Sequence, residues 1–352
     1  MTFEEVFESW KKGGTKSEAT IKEFAYSIRL FGEFFGSKVI VDVSRSDVRQ
    51  FREALQVKPA RVSGQLRNAT LPDLVKWAAK NKGAKRISVG TVNKILTALQ
   101  ALATWAYDNG LIPEDTPWTN PFSRMLLEDK PSDREPWTPE DLRGLFASPV
   151  FSAGERPRGG GGDAAYWLPL LGLYTGARLG ELAPLTVRDI VMDDETGITA
   201  IKFSENEEEG RRLKTISSRR VVPLHPKLVE LGFLAFILAR QKEAGADARL
   251  FSALTRGPKG SYGDHWSKWF GRYIRSIGIT NPASVFHSFR HGFKDALRSV
   301  GVSEEVHDAL TGHAGTGGVG RRYGAKDMVR RFGLKRLAEA WPSSIIRVSR
   351  CW

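Results

Sequence analysis

The sequence predicts a mainly α-helical protein with one small β-sheet, in two domains, and three observations carry that prediction. Apolar residues recur at helical spacing before residue 110. Short β-like runs appear between Gly197 and Leu224, and prolines gather with polar residues between Leu111 and Pro139. At 352 residues the chain exceeds the usual size of one domain. The expected division is a helical domain over 1–112, a linker over 113–136, and a mixed α+β domain over 137–352 that includes a C-terminal tail.

Helical spacing is visible around Phe3–Trp10, Ala19–Phe35 and Thr91–Tyr107. The last is the clearest: Val92, Ile95, Leu96, Leu99, Leu102 and Trp105 form an inward stripe, with Thr91 expected to cap the start and Gly110 to end it. Lys94 then lies off the stripe. In the second domain, Thr138 is expected to cap a helix whose Asp141 suits the positive end of the helix dipole. The glycine-rich stretch 156–163 is read as a flexible loop, since it lacks the Gly-Lys-Ser or Gly-Lys-Thr ending of a phosphate-binding loop. An apolar helix over 164–174 follows, and Leu231–Ala239, too short to span a bilayer, reads as a buried helix. The runs I-T-A-I-K-F and R-R-V-V-P-L predict a hairpin. V-S-E-E-V-H-D-A-L-T-G-H predicts a helix ending at Gly312.

Composition narrows the class of partner. A net charge of +13 and a pI near 9.8 favour a polyanion, and with no lipid-directed signal that means nucleic acid and not a membrane. Cys351 is the only cysteine, which rules out an intramolecular disulfide and a cysteine metal cage. The acidic, amphipathic start lacks the features of a secretory signal, so a cytoplasmic location is expected.

Five side chains point to metal-free phosphoryl transfer. Arg178 in T-G-A-R-L-G-E and Arg290 in H-S-F-R carry planar guanidinium forks that match two phosphate oxygens at once. Tyr323 in R-R-Y-G can form a phosphoryl ester if neighbours take its proton, and His287 and His313 suit proton movement near neutral pH. Each histidine also fits a packing role. Glu181, three residues after Arg178, is placed to hold that arginine. His287 and His291 have the i, i+4 spacing of part of a zinc site, but the glutamate of H-E-x-x-H is missing, so no metal is expected.

These motifs, in this order, resemble the tyrosine recombinase family, the phage-integrase type of site-specific DNA recombinase. The resemblance covers most of the chain. It implies a helical core-binding domain followed by a mixed α+β catalytic domain of tyrosine-recombinase type. It adds Lys214, in the hairpin stretch L-K-T-I-S-S-R-R-V-V-P-L, to a catalytic set of Arg178, Lys214, His287, Arg290, His313 and Tyr323. The run A-G-T-G-G-V-G between His313 and Tyr323 is richer in glycine than is usual in the family, and members deliver their tyrosine in cis or in trans.

The chemistry implied by the resemblance begins with attack of Tyr323 on a DNA phosphodiester, giving a 3'-phosphotyrosine and a free 5'-hydroxyl. Arg178 and Arg290 would hold the phosphate, His287 and His313 would assist proton transfer, and Lys214 would protonate the leaving oxygen. Bond energy stays in the ester, so neither ATP nor a metal cofactor is required. The implied partners are double-stranded DNA with attachment or recombination sites, a homotetramer assembled on it, and accessory bending or directionality factors. Lys94 matches a helix that contacts DNA in the family, with a solvated lysine as the alternative, and Arg211, Arg212, Arg219 and Arg220 are candidates for backbone phosphates. Two other readings stand beside this one. A type IB topoisomerase would make the same ester and religate the same strand, and a non-catalytic relative would bind DNA alone.

Overall fold

The computed structural model describes residues 1–113, 115–129, 135–205, 219–258, 260–313 and 333–339. The chain divides into two compact units, Met1–Pro131 and Ser132–Trp352.

Five helices build the first unit: α1 (Phe3–Lys12), α2 (Glu18–Phe35), α3 (Arg45–Val57), α4 (Leu71–Lys80) and α5 (Val89–Asp108). Their starts are written in the sequence. Thr2, Ser17, Ser44, Thr70 and Ser88 each accept the backbone N–H three residues on, satisfying a donor the helix itself cannot. The core joins the buried stripe Val92, Ile95, Leu96, Leu99 and Leu102 of α5 to a cluster of phenylalanines. Phe31 stands 5.0 Å from Phe3 and 5.3 Å from Phe51, ring centroid to centroid, both edge-on.

The second unit holds α6 (Pro139–Phe146), α7 (Pro149–Ser152), α8 (Ala164–Thr175) and α9 (Leu179–Leu182). The strands β1 (Ile190–Met192), β2 (Thr199–Phe203) and β3 (Arg220–Pro223) follow. Next come α10 (Pro226–Glu230), α11 (Phe233–Ala244), α12 (Gly263–Ser276), α13 (Phe286–Ser299), α14 (Glu304–Thr311) and α15 (Leu334–Glu339). The sheet is antiparallel in the order β1-β2-β3, with Val191 opposite Ala200 and Ile201 opposite Val222. Its inward residues Ile201, Phe203 and Val222 join the core built around α8, which is buried along nearly its whole length. Thr138 caps α6 as expected, and Gly312 ends α14 in the left-handed conformation with φ 63°. Among the described residues, no helix is long and apolar enough to cross a membrane.

The structure departs from the sequence reading in several places. The cap of α5 is Ser88, and Thr91 lies one turn inside, because Val89 extends the apolar pattern backwards. Within the segment expected as a linker, Phe122 and Met125 are buried in the first core. The glycine run is a packed turn and not a flexible loop. A Cβ on Gly160 would sit 2.7 Å from the Trp269 ring, so the glycine is there to let an indole approach. The helix expected to be buried, α11, is covered on one side only: Phe233 and Ile237 face the core while Leu238 is 63% exposed. Strand β1, too short to show an alternation, was not foreseen.

Candidate active site

The site is built where α8 ends against α13. Gly172 and Gly176, one turn apart on α8, leave the space that the aromatic side of α13 occupies. A Cβ on Gly172 would meet the Phe286 ring at 2.8 Å, and one on Gly176 would meet Phe293 at 2.5 Å. Trp137 covers the other side by stacking on Phe289 at 4.9 Å. Gly176 also ends α8 at φ 61°, a conformation that disfavours a side chain. The turn T-G-A-R therefore does two things at once. It delivers Arg178 to the start of α9, and it presents the Gly176 carbonyl to Arg290 Nη1 at 3.0 Å.

Glu181 is the anchor of the cluster. Its Oε1 accepts from Arg178 Nη1 at 2.7 Å, and its Oε2 accepts from the Arg178 backbone N–H and from Arg220 Nη2, both at 2.8 Å. Burial alone raises the pKa of this carboxyl, but the two arginines and these hydrogen bonds outweigh it and hold the value below the ordinary range. Arg220, its side chain 1% exposed, donates from Nε to the Leu310 carbonyl at 2.8 Å and lies 4.2 Å over the Phe203 ring. Arg220 was expected among the phosphate contacts at the surface. It is instead locked inside, because it directly faces Phe203 across the β2–β3 ladder and finds a carboxylate and a helix terminus there.

Arg290 differs from Arg220 in one respect. Its Nη1 donates to the carbonyls of Gly176 and Thr311, at 3.0 and 2.5 Å, but its Nη2 is buried without a hydrogen-bond partner among the described residues. Burial, reinforced by the nearby Arg178 and Arg220, lowers its pKa to about 10, so it stays charged at neutral pH. A buried guanidinium nitrogen lacking an acceptor, beside the quarter-exposed side chain of Arg178, describes a place for an anion.

His313 stands just past the end of α14, and His287 stands on α13. His287 lies one turn before Arg290 on α13 and meets His291 edge-on at 5.2 Å. Among the described residues, no group of three or more histidine, cysteine, aspartate and glutamate side chains is arranged to hold a metal ion. His313 follows the Gly312 cap, its side chain half exposed, with its backbone N–H on the Asp308 carbonyl at 3.1 Å. Its pKa is lowered by burial and by Lys294, Arg290 and Arg178, while Asp308 opposes them. Arg178, Arg290 and His313 therefore share one electrostatic environment.

Lys214, Tyr323, Arg211 and Arg212 lie outside the described residues. Arg219 is exposed and donates to Glu205 at 2.6 Å, and Lys94 is exposed on α5 away from the buried stripe. The sequence reading missed the structural part of Arg220, although the alternation in R-R-V-V-P-L places one of the two arginines on the same side as the buried Val222. It also missed Lys294 and Asp308, whose ion pair joins α13 to α14 at 3.0 Å.

The second unit thus sets two arginines, Arg178 and Arg290, beside a position suited to an anion, on a mainly helical fold with a small antiparallel sheet. The sequence profile described as the phage integrase family matches residues 165–330, a span that contains all six expected catalytic positions. Over that span the chain is similar to the phage integrase family of tyrosine recombinases. No match was found among curated proteins. Among solved structures, the Tn1549 transposon integrase in complex with circular intermediate DNA is similar with a TM-score of 0.60 at 18% identity, over 90% of this chain and 93% of that one. A lambda integrase tetramer bound to a Holliday junction is similar with a TM-score of 0.53 at 15% identity, over 89% and 76%. At such identities the likeness is one of fold.

Proposed function

We propose that this protein is a site-specific DNA recombinase that cuts and rejoins strands through a 3'-phosphotyrosine, serving the integration or excision of a mobile element. The observation that carries the reading is the buried, unpartnered Nη2 of Arg290 beside Arg178, in a cluster fixed by Glu181 and Arg220. A phosphodiester oxygen supplies the missing acceptor. Charge that grows on the non-bridging oxygens during attack strengthens both contacts, which is what a transition-state clamp requires.

In the proposed sequence Tyr323 attacks phosphorus, its phenolic proton passing toward His287 or His313. The bond to the 5'-oxygen breaks as Lys214 gives that oxygen a proton. A 5'-hydroxyl from a partner strand then attacks the phosphotyrosine and releases Tyr323, so each ester broken is replaced by an ester formed. Double-stranded DNA with a recombination site is the substrate, and a homotetramer is the assembly that brings two such sites together. Exposed basic residues of the first unit, Arg61, Arg67, Lys80, Lys82, Lys85, Arg86 and Lys94, suit its backbone, with Asp73 the only acidic residue between positions 58 and 94.

Covalent trapping tests the reading. Wild-type protein and the Tyr323→Phe variant are incubated without divalent metal on nicked suicide DNA carrying the candidate attachment site, then run on a denaturing gel. A shifted band from wild type alone is expected. Adduct from both proteins would assign the nucleophile elsewhere. DNA binding by both without any adduct would leave a non-catalytic DNA-binding protein, and relaxation of supercoiled DNA that lacks the site would point to a topoisomerase.

A further inference from the structure

We propose that Asp308, itself held by Lys294, is a positioning residue that anchors His313 beside the bound phosphate and supports the protonated form of its ring. The inference rests on the recombinase reading for the identity of that phosphate, and on geometry for the rest.

Asp308 grips the His313 segment twice. Its backbone carbonyl accepts the N–H groups of Gly312 and His313, which fixes the path of the chain out of α14. Its carboxylate Oδ1 lies 4.0 Å from His313 Nδ1 and takes Lys294 Nζ at 3.0 Å. Lys294 sits one helical turn after Arg290 on α13, and both members of the pair are largely buried, their side chains 16% and 14% exposed. On its other side the same helix end is held by Arg220 on the Leu310 carbonyl and Arg290 on the Thr311 carbonyl. Cations at a helix C-terminus are favoured there, and here they register His313 against the arginine cluster.

At 4.0 Å, beyond hydrogen-bond reach, the carboxylate acts on the ring through its charge and favours the protonated form. The charged groups that act on His313 are Asp308 in one direction and Lys294, Arg290 and Arg178 in the other. Among the described residues His307 is a further titratable neighbour, buried, with Nδ1 3.2 Å from the Asp308 carboxylate. Lys294 thus has two opposed effects on His313. It holds the carboxylate that supports the imidazolium, and its own charge works against that imidazolium.

The opposed signs give a test that a merely structural role would not pass. Full-length protein with ¹³C-labelled histidine is titrated by NMR without DNA, the His313 signal being assigned by its loss in His313→Gln. Asp308→Asn is expected to lower the His313 pKa and Lys294→Met to raise it. In covalent trapping, Asp308→Asn should slow adduct formation on the order of tenfold near neutral pH, with DNA affinity unchanged. Should Asp308→Asn fail to fold, Asp308→Ser is titrated in its place, with the same fall in the His313 pKa expected. An unmoved His313 titration in a folded variant, or shifts of the same sign in both, would overturn the proposal. The expected shifts without adduct from any variant at any pH would reject the recombinase reading and leave the coupling of Asp308 to His313 standing.

Discussion

The two units carry positive charge in opposite ways. In the first, Arg61, Arg67, Lys80, Lys82, Lys85 and Arg86 are exposed and have no ion-pair partner among the described residues. Lys80 ends α4 and the others lie outside the five helices, near loops braced by backbone bonds, Ala60 N–H to the Lys85 carbonyl at 2.7 Å and Ile87 N–H to the Lys58 carbonyl at 3.0 Å. In the second, Arg220 and Arg290 are buried, and carbonyls, a carboxylate and an aromatic ring determine where each nitrogen points. An exposed cation on a long stem follows a polyanion wherever it runs and is screened by salt. A buried guanidinium is useful at one spot only, and its desolvation is tolerated because its neighbours are fixed. The first arrangement suits holding DNA, the second suits recognising one phosphate.

Arg290→Ala is the most damaging way to test that contrast. It removes the unpartnered Nη2 together with the two carbonyl contacts, and adduct formation should fall about 10³-fold while DNA binding by the first unit persists. A loss smaller than about tenfold in quantitative trapping would mean that the buried nitrogen serves packing and not the phosphate.

Glu181→Ala should show how much of the arginine cluster depends on its one carboxylate. Removing a buried partner leaves Arg220 inside without its counter-charge, and urea unfolding should report a loss of about 3–5 kcal/mol. Glu181→Gln keeps the shape and should lose less. The sign with pH follows from the lowered carboxyl pKa. The ionised form is preferred in the folded state, so its contribution is fully present above the ordinary carboxylate pKa and disappears as pH falls through the lowered one. Wild type and Glu181→Gln should therefore converge in acid.

His225 sharpens the comparison from the side of a base that can give up its proton. It caps α10, lies against Tyr174 at 4.5 Å and is 1% exposed, and burial, with Lys227 adding to it and Glu230 opposing, lowers its pKa to about 4. Between the unfolded value of about 6.5 and that value the unfolded chain binds the proton more readily. Stability is thus fully present above pH about 6.5 and declines as pH falls, by up to about 3 kcal/mol. His225→Asn keeps an acceptor for the cap, and its melting temperature should fall less steeply across that window.

The arginine pocket was legible in the sequence to the extent that chemistry is local. Arg178 with Glu181, and His287 with Arg290, stand at separations that one helical turn brings together. Arg220 was less legible, since four arginines near one strand read as a charged surface until the alternation with Val222 is given more weight than the charge. The glycine run illustrates what composition leaves out. Gly160 and its neighbours announce backbone freedom, and nothing near them announces that Trp269 and Leu254, far along the chain, fill the space. Strand β1 pairs three residues only, fewer than a period-two pattern needs, and Lys294 with Asp308 are separated by a loop whose path periodicity does not determine.

The gentlest test lies on the first unit. Lys82→Ala and Lys85→Ala remove single exposed charges from braced loops, so neither should alter the fold. If each contacts one backbone phosphate, each should reduce the slope of log affinity against log salt by about 0.9, with a similar loss on specific and unrelated duplexes. The contrast with Arg290 then becomes measurable: the lysine variants should recover adduct yield when salt is lowered, and Arg290→Ala should not. Recovery in Arg290→Ala would make the buried pocket another part of the general electrostatic grip. Unchanged slopes in both lysine variants would place the DNA on a different face of the first unit.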